Sequence, residues 1–253
     1  MNTLYLIIFF ILGTLMGSFY TVVGLRLPKK ENFINSRSHC DYCNHKLKLF
    51  DMIPLISYIF QKGKCRYCGK KIDALSTYIE FFTGVLFAVA FYSFNFSYEL
   101  LIALGIVSLL MIIVVSDITY LIIPDEVLMF FSSYFIIIQI LNLGWQGAIG
   151  KILTGLFLFT VMYIIMIIGD KLLKKESLGG GDIKMMFVFG LVLDPFLGIL
   201  SLFIGSIIAL PISVLLLYKQ HEKVIPFGPF LLVSLTLIYF TKITTDIILT
   251  WLL

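Results

Sequence analysis

Gly179-Gly180-Gly181-Asp182-Ile183-Lys184 puts a carboxylate where a long apolar run begins. Far upstream a second one, Asp117, closes the apolar run Met111-Ile112-Ile113-Val114-Val115-Ser116. A carboxylate at the centre of a bilayer costs roughly 2.5–3.5 kcal/mol on insertion scales, so it normally faces protein or a wet cavity. Two of them at the ends of apolar runs point to a site.

The surrounding chain supplies the membrane. Its 253 residues are 60% hydrophobic with a mean hydropathy of +1.02, which excludes an ordinary soluble domain. Apolar runs of about 20 residues, enough to cross roughly 30 Å of hydrocarbon as helix, recur outside residues 26–75. The fold expected is an all-α polytopic membrane protein of about eight transmembrane helices, near 4–25, 76–93, 98–116, 126–143, 149–168, 183–193, 196–218 and 226–250. Segment six, ending before Asp194-Pro195, is too short to cross unaided and is expected half-buried against its neighbours. The first run lacks a basic leader and reads as a retained anchor. The chain thus divides into a first helix (1–25), a cytoplasmic insert (26–75) and a transmembrane core (76–253).

Charge gives the orientation. Eleven of the 19 Lys and Arg lie between Arg26 and Lys71, which places that segment in the cytoplasm and the amino terminus outside. Lys171, Lys174, Lys175, Lys219 and Lys223 fall in later inside loops by the same alternation. The net charge of +4 thus reflects topology rather than nucleic-acid binding. Lys242 and Asp246, four apart, are spaced to pair on one helix face or mark its exposed end.

All four cysteines lie in the insert, as Cys40-Asp41-Tyr42-Cys43 and Cys65-Arg66-Tyr67-Cys68. Two CxxC turns at little more than the usual ribbon interval are a zinc signature, each offering two thiolates to one tetrahedral ion. Two disulfides, or four unligated thiols, are the competing reading, and a reducing cytoplasm argues against the disulfides. His39 and His45 flank the first turn as substitute ligands or surface residues. The apolar stretch Asp51–Phe60 is too short to span, and is expected against the membrane face or packed on the ribbon.

Asp117 and Asp182 fall at the same membrane face in this topology. Gly179, Gly180 and Gly181 remove side chains so that an extended backbone can approach the carboxylate. Two neighbouring Asp cannot easily ionise together. One keeps a proton while the other activates water for attack on a peptide carbonyl. The competing reading of each Asp alone is a helix cap or an interfacial charge.

Gly179-Gly180-Gly181-Asp182 resembles the GxGD motif of intramembrane aspartyl proteases. Asp117 with Ile123-Pro124-Asp125 is similar to the other half of the motif in bacterial type IV prepilin peptidases. Gly17-Ser18-Phe19-Tyr20-Thr21-Val22-Val23-Gly24-Leu25-Arg26-Leu27-Pro28, the paired CxxC insert and Pro226-Phe227-Gly228-Pro229-Phe230 extend the resemblance over nearly the whole chain. It implies a bifunctional enzyme at the cytoplasmic face of the cytoplasmic membrane. Such an enzyme cleaves the leader of type IV prepilins or pseudopilins after a Gly and N-methylates the new amino-terminal residue, usually Phe, with S-adenosylmethionine. The Lys- and Ile-rich composition and short insert look like a competence-type member.

By that resemblance Asp117 and Asp182 are the catalytic acid and base, with Asp125 the rival for the upstream role. Asp125 also suits the start of a helix. Some relatives carry another acid where this chain has Thr119. Glu80, in the second span, matches an acid in relatives and is expected to bind substrate or cap a helix. Lys184 is spaced either to favour an ionised carboxylate nearby or to face lipid headgroups, and the headgroups are the expected reading. No GxGxxG follows a strand, so the methyl donor needs a site other than a Rossmann domain. Two other classes stay open: a nonenzymatic assembly factor with a zinc docking module, and a cation-coupled transporter using the aspartates. Substrate identity and oligomeric state have no signal in the sequence.

Overall fold

The computed structural model describes residues 2–32, 38–40, 42–174, 178–219, 226–245 and 250. Asp41, Lys175, Lys223 and Asp246 lie outside these, and with Asp246 the pairing expected for Lys242. The regular elements among the described residues are all helices, with no strand beyond two isolated bridges, His39 to Lys46 and Lys64 to Lys71. The helices are α1 (Asn2–Arg26), α2 (Ile56–Phe60), α3 (Leu75–Phe94), α4 (Tyr98–Tyr120), α5 (Asp125–Leu173), α6 (Gly180–Val192), α7 (Pro195–Lys219) and α8 (Gly228–Phe240). Five of them, α1, α3, α4, α5 and α7, are long and apolar enough to cross a membrane. The chain divides into two compact units, Met1–Asn95 and Phe96–Leu253.

In the first unit α1 and α3 pack antiparallel along small residues. A Cβ at Gly13 would lie 2.7 Å from the Thr83 carbonyl, and one at Gly17 would lie 2.8 Å from the Glu80 Cα. Gly13 and Gly17 are thus one turn apart on the contact face, the spacing that lets membrane helices approach backbone to backbone. Farther along, Phe9 stacks on Phe91 with ring centroids 4.7 Å apart. The insert therefore leaves and re-enters at the same end of this helix pair.

In the second unit α4 is the most buried span, with 78% of its apolar window inside the protein. As one rod the 49 residues of α5 would reach about 74 Å, far beyond one bilayer. Gly144, at φ 72° and ψ −179°, breaks the helix in a conformation that is almost restricted to glycine. Neighbours fix the sense of the break. Before it, Asp125 meets Lys184 and Gln139 donates to the Leu191 carbonyl at 2.8 Å. After it, Lys151 reaches Asp194 at 2.9 Å, and a Cβ at Gly190 would lie 2.5 Å from Gly155. The first arm runs parallel to α6 and the second antiparallel, so α5 is a helical hairpin. This agrees with the division into 126–143 and 149–168 read from hydropathy.

The hairpin explains how the short α6 survives. Its 13 residues are buried from Asp182 to Val192 except at Lys184 and Phe187. Packing on protein, rather than length, keeps it in place. At the far end, Ser234 of α8 donates to the Ser201 carbonyl of α7 at 2.6 Å. Helix α8 ends at Phe240, short of the 226–250 read as the last span, of which residues 246–249 lie outside the described residues.

Candidate active site and metal centre

Asp117 lies in the last turn of α4, not just beyond it. The helix ends in the left-handed residue Leu121 (φ 56°), whose N–H donates to the Asp117 carbonyl at 2.9 Å, and the Ser116 hydroxyl bonds the Ile122 carbonyl. Pro124 then holds Ile123 out of helix, and α5 starts at once with Asp125. This short turn aims the Ile123 side chain at two glycines. A Cβ at Gly181 would stand 2.7 Å from the Ile123 Cβ, and one at Gly228 would stand 3.0 Å from its Cδ1.

Those glycines carry the two carboxylates together. Gly228 donates its N–H to Asp117 Oδ2 at 3.2 Å. Gly181 precedes Asp182 in the first turn of α6. The helix is capped by Gly179, whose carbonyl accepts from the Asp182 N–H at 3.1 Å, so Asp182 is not the helix cap. Asp117 is 6% and Asp182 8% exposed, and they are near enough to act on each other electrostatically. Asp182 Oδ1 is buried with no hydrogen-bond partner among the described residues. An orphaned buried acceptor costs roughly 1–3 kcal/mol, and such groups mark strain or catalytic use.

Asp125 has different surroundings. It opens α5 as the macrodipole argument expects, and its half-exposed carboxylate takes Lys184 Nζ at 2.8 and 2.7 Å. Lys184 thus makes an ion pair while its side chain stays half exposed. The reason is helical geometry: two residues apart means about 200° around the axis, so Lys184 points away from Asp182.

The glycines differ in what they do. None of Gly179, Gly180 and Gly181 has a positive φ. A Cβ on Gly180 meets nothing within 4 Å, whereas one on Gly181 strikes the branched Cβ of Ile123. Gly181→Ala is expected to destabilise the protein by about 1–3 kcal/mol and to depress activity, with Gly180→Ala close to neutral. Thermal unfolding of the two purified variants beside wild type checks this.

Gly228 and Ile123 have no assigned role in the sequence reading. Phe227-Gly228-Pro229 stands out as a motif, yet the hydrogen bond joins positions 111 apart, and no local pattern encodes such a pairing. Glu80, in the first unit, is buried in α3. It accepts from the Leu55 N–H at 2.8 Å and from the Ser18 side chain.

The four thiols of Cys40, Cys43, Cys65 and Cys68 lie within 4.8 Å of one another, and none is in a disulfide. Cys40 and Cys68 Sγ are 3.9 Å apart. Tetrahedral Zn–S bonds of about 2.3 Å would put sulfurs about 3.8 Å apart, so the cluster fits one metal ion. Both turns have one design. Asn44 N–H donates to the Cys40 carbonyl at 2.8 Å and Gly69 N–H to the Cys65 carbonyl at 2.9 Å. Asn44 and Gly69 are both left-handed, at φ 54° and 71°, a region that Gly and Asn enter at least cost. Hydrogen bonds from the Cys43 and Tyr42 backbone lower the Cys40 thiol to about 6, which favours the thiolate a metal needs. His45 packs on the Tyr67 ring, centroids 3.6 Å apart, and neither His39 nor His45 belongs to the cluster. Asp51 ties the linker to the second turn, accepting from Lys48 N–H and Tyr67 OH at 3.1 Å.

Residues 11–94 match the bacterial peptidase A24 N-terminal domain, and residues 104–214 match the type IV leader peptidase family. The chain is 37% identical over 189 residues to the prepilin leader peptidase/N-methyltransferase of Bacillus subtilis, covering 74% of this chain and 73% of that one. The protein of the same name from Myxococcus xanthus is 30% identical over 189 residues, covering 74% and 56%. That from Vibrio cholerae is 28% identical over 256 residues, covering 95% and 98%. No solved structure matches the chain. With a buried pair of carboxylates behind a GxGD sequence and a thiol cluster between its first two spans, this multi-pass membrane protein belongs to the type IV leader peptidase family.

Proposed function

We propose that this peptidase cleaves the leader of type IV prepilins or pseudopilins with Asp117 and Asp182 as its catalytic pair, and N-methylates the new amino terminus, usually Phe. The observation that carries the assignment is the burial of these two carboxylates together, one oxygen of Asp182 being without a protein partner. One carboxylate takes a proton from water, and the hydroxide attacks the carbonyl carbon of the leader's last Gly. The other carboxyl protonates the amide nitrogen as the C–N bond breaks, leaving a free acid and a free amine. Gly228 N–H orients Asp117, and Ile123 spaces the Asp117 turn from the Gly181 turn. Gly179 and Gly180 leave room for an extended substrate beside Asp182. Asp125, ion-paired and half exposed, has a structural role.

The topology that suits this reading has eight crossings, the α5 hairpin counting as two, with the amino terminus outside and the site at the cytoplasmic face of the cytoplasmic membrane. Residues 1–25 are then the first anchor, 26–75 the insert and 76–253 the core. The insert holds zinc on Cys40, Cys43, Cys65 and Cys68, a closed four-thiolate site suited to folding rather than chemistry. Glu80 tethers the insert to α3 and has no part in bond cleavage. S-adenosylmethionine supplies the methyl group. The described residues contain no strand followed by a glycine-rich loop, so the donor's site is not a Rossmann site, and methylation rests on the relatives' names.

The test is incubation of the purified, reconstituted protein with a prepilin-like substrate, with and without S-adenosylmethionine, read by mass spectrometry of the product. Cleavage after Gly in both arms, and methylation in one, is expected. No cleavage in either arm would sink the proposal, and cleavage without methylation would remove its second half.

A further inference from the structure

The linker between the thiol turns is held in an unusual way. Leu55 has φ 61° and ψ −50°, and the Ile56 N–H donates to the Pro54 carbonyl at 2.6 Å. That is a γ-turn of the rare positive-φ kind, a strained arrangement that persists where its surroundings demand it. Here the demand comes from Glu80, which accepts the Leu55 N–H. Glu80 is five residues past Leu75, where the apolar span begins, or about 7.5 Å along the helix axis. Because helical side chains lean toward the amino terminus, Leu55 is drawn down beside the first turns of a membrane span.

Several apolar side chains on either side of Leu55 are exposed among the described residues. Helix α2 exposes Ile59 at 70% and Phe60 at 84%, and Phe50, just before the γ-turn, is 78% exposed. Ile53 and Ile56 are exposed beside them. Lys46, Lys48, Lys62, Lys64, Arg66, Lys70 and Lys71 are exposed before and after this apolar group. Apolar side chains at the level of a span's end, with cations around them, are complementary to an anionic bilayer surface.

We infer that Phe50, Ile53, Ile56, Ile59 and Phe60 form a membrane-interface anchor that seats the thiol-cluster module on the bilayer by dipping into the acyl region of the adjoining leaflet. The lysines around it meet anionic headgroups, and the Glu80 tether sets its depth. Each apolar side chain so buried adds to the attachment, and loss of one loosens the module without touching the carboxylate pair. The inference does not depend on the identity of the metal or on catalysis.

The experiment uses the full chain with Trp145 and Trp251 changed to Phe and a single reporter, Phe60→Trp, reconstituted in phosphatidylcholine vesicles containing phosphatidylglycerol. Quenching of the reporter by brominated acyl chains by at least about twofold, with little quenching by aqueous iodide, is expected. Ile59→Trp is a second reporter should Phe60→Trp fail to fold. Glu80→Ala, which removes the acceptor of the Leu55 N–H, is expected to weaken the bromolipid quenching, as is replacing Lys62 and Lys64 by Glu. Strong iodide quenching without bromolipid quenching would overturn the inference in favour of a free surface. Protection from both quenchers would overturn it in favour of a protein partner or a second copy.

Discussion

Asp117→Asn and Asp182→Asn each lower cleavage of a prepilin-like substrate by roughly 10²- to 10⁴-fold while leaving protein abundance near wild type, the range expected for loss of one general acid or base. Asn keeps the shape of the side chain and, at position 117, an oxygen for the Gly228 N–H, so the loss reports proton transfer rather than packing. The double variant is no slower than either single one, because residues acting as a unit lose their effect together. Asp125→Asn keeps most activity, since its carboxylate is turned to Lys184 and half exposed. Initial rates at equal enzyme concentration, with abundance checked by immunoblot, decide the matter. Full activity in both single variants would return the chain to the scaffold or transporter class.

Cys40→Ser or Cys65→Ser has its large effect on the insert's folding. These are the two buried thiols of the cluster, and the insert around them has short helices, two isolated bridges and little apolar core. In zinc-finger peptides a structural zinc site supplies roughly 10–16 kcal/mol of apparent binding free energy, which becomes folding free energy. If the cluster holds the proposed zinc, loss of a ligand leaves the segment around residues 38–72 open to limited proteolysis, and the bound metal measured per chain falls. Cleavage falls in proportion to the intact protein remaining. Wild-type abundance and protease resistance with abolished cleavage would assign the cysteines to chemistry instead. Chelation of the wild type provides the same test without a substitution.

The elements that could be read ahead of the structure share a physical origin. Hydropathy is additive along a helix, so α1, α3, α4 and α7 were legible as spans, and even the reversal near Gly144 appeared as a break between two apolar runs. The CxxC pairs were legible because a metal-binding turn is local: two cysteines three positions apart, each followed by a residue that accepts a positive φ, specify it unaided. Asp117 and Asp182 stood out because carboxylates beside apolar runs are costly.

The choice between Asp117 and Asp125 was of another kind. Both are acids around one turn, and their surroundings differ because of where α6 lies: it turns Lys184 to Asp125 and Gly181 to Ile123. Gly228 became part of the site through a hydrogen bond spanning 111 positions, and Glu80 met Leu55 across the insert. The sequence by itself determined the membrane class, the helical runs, the thiol turns and the acids worth considering, since each depends on neighbours along the chain. The tertiary structure alone decided which acids are buried within electrostatic reach of each other, which one is paired with a lysine and which glycine is needed for space, because those depend on distances between helices that no local periodicity records.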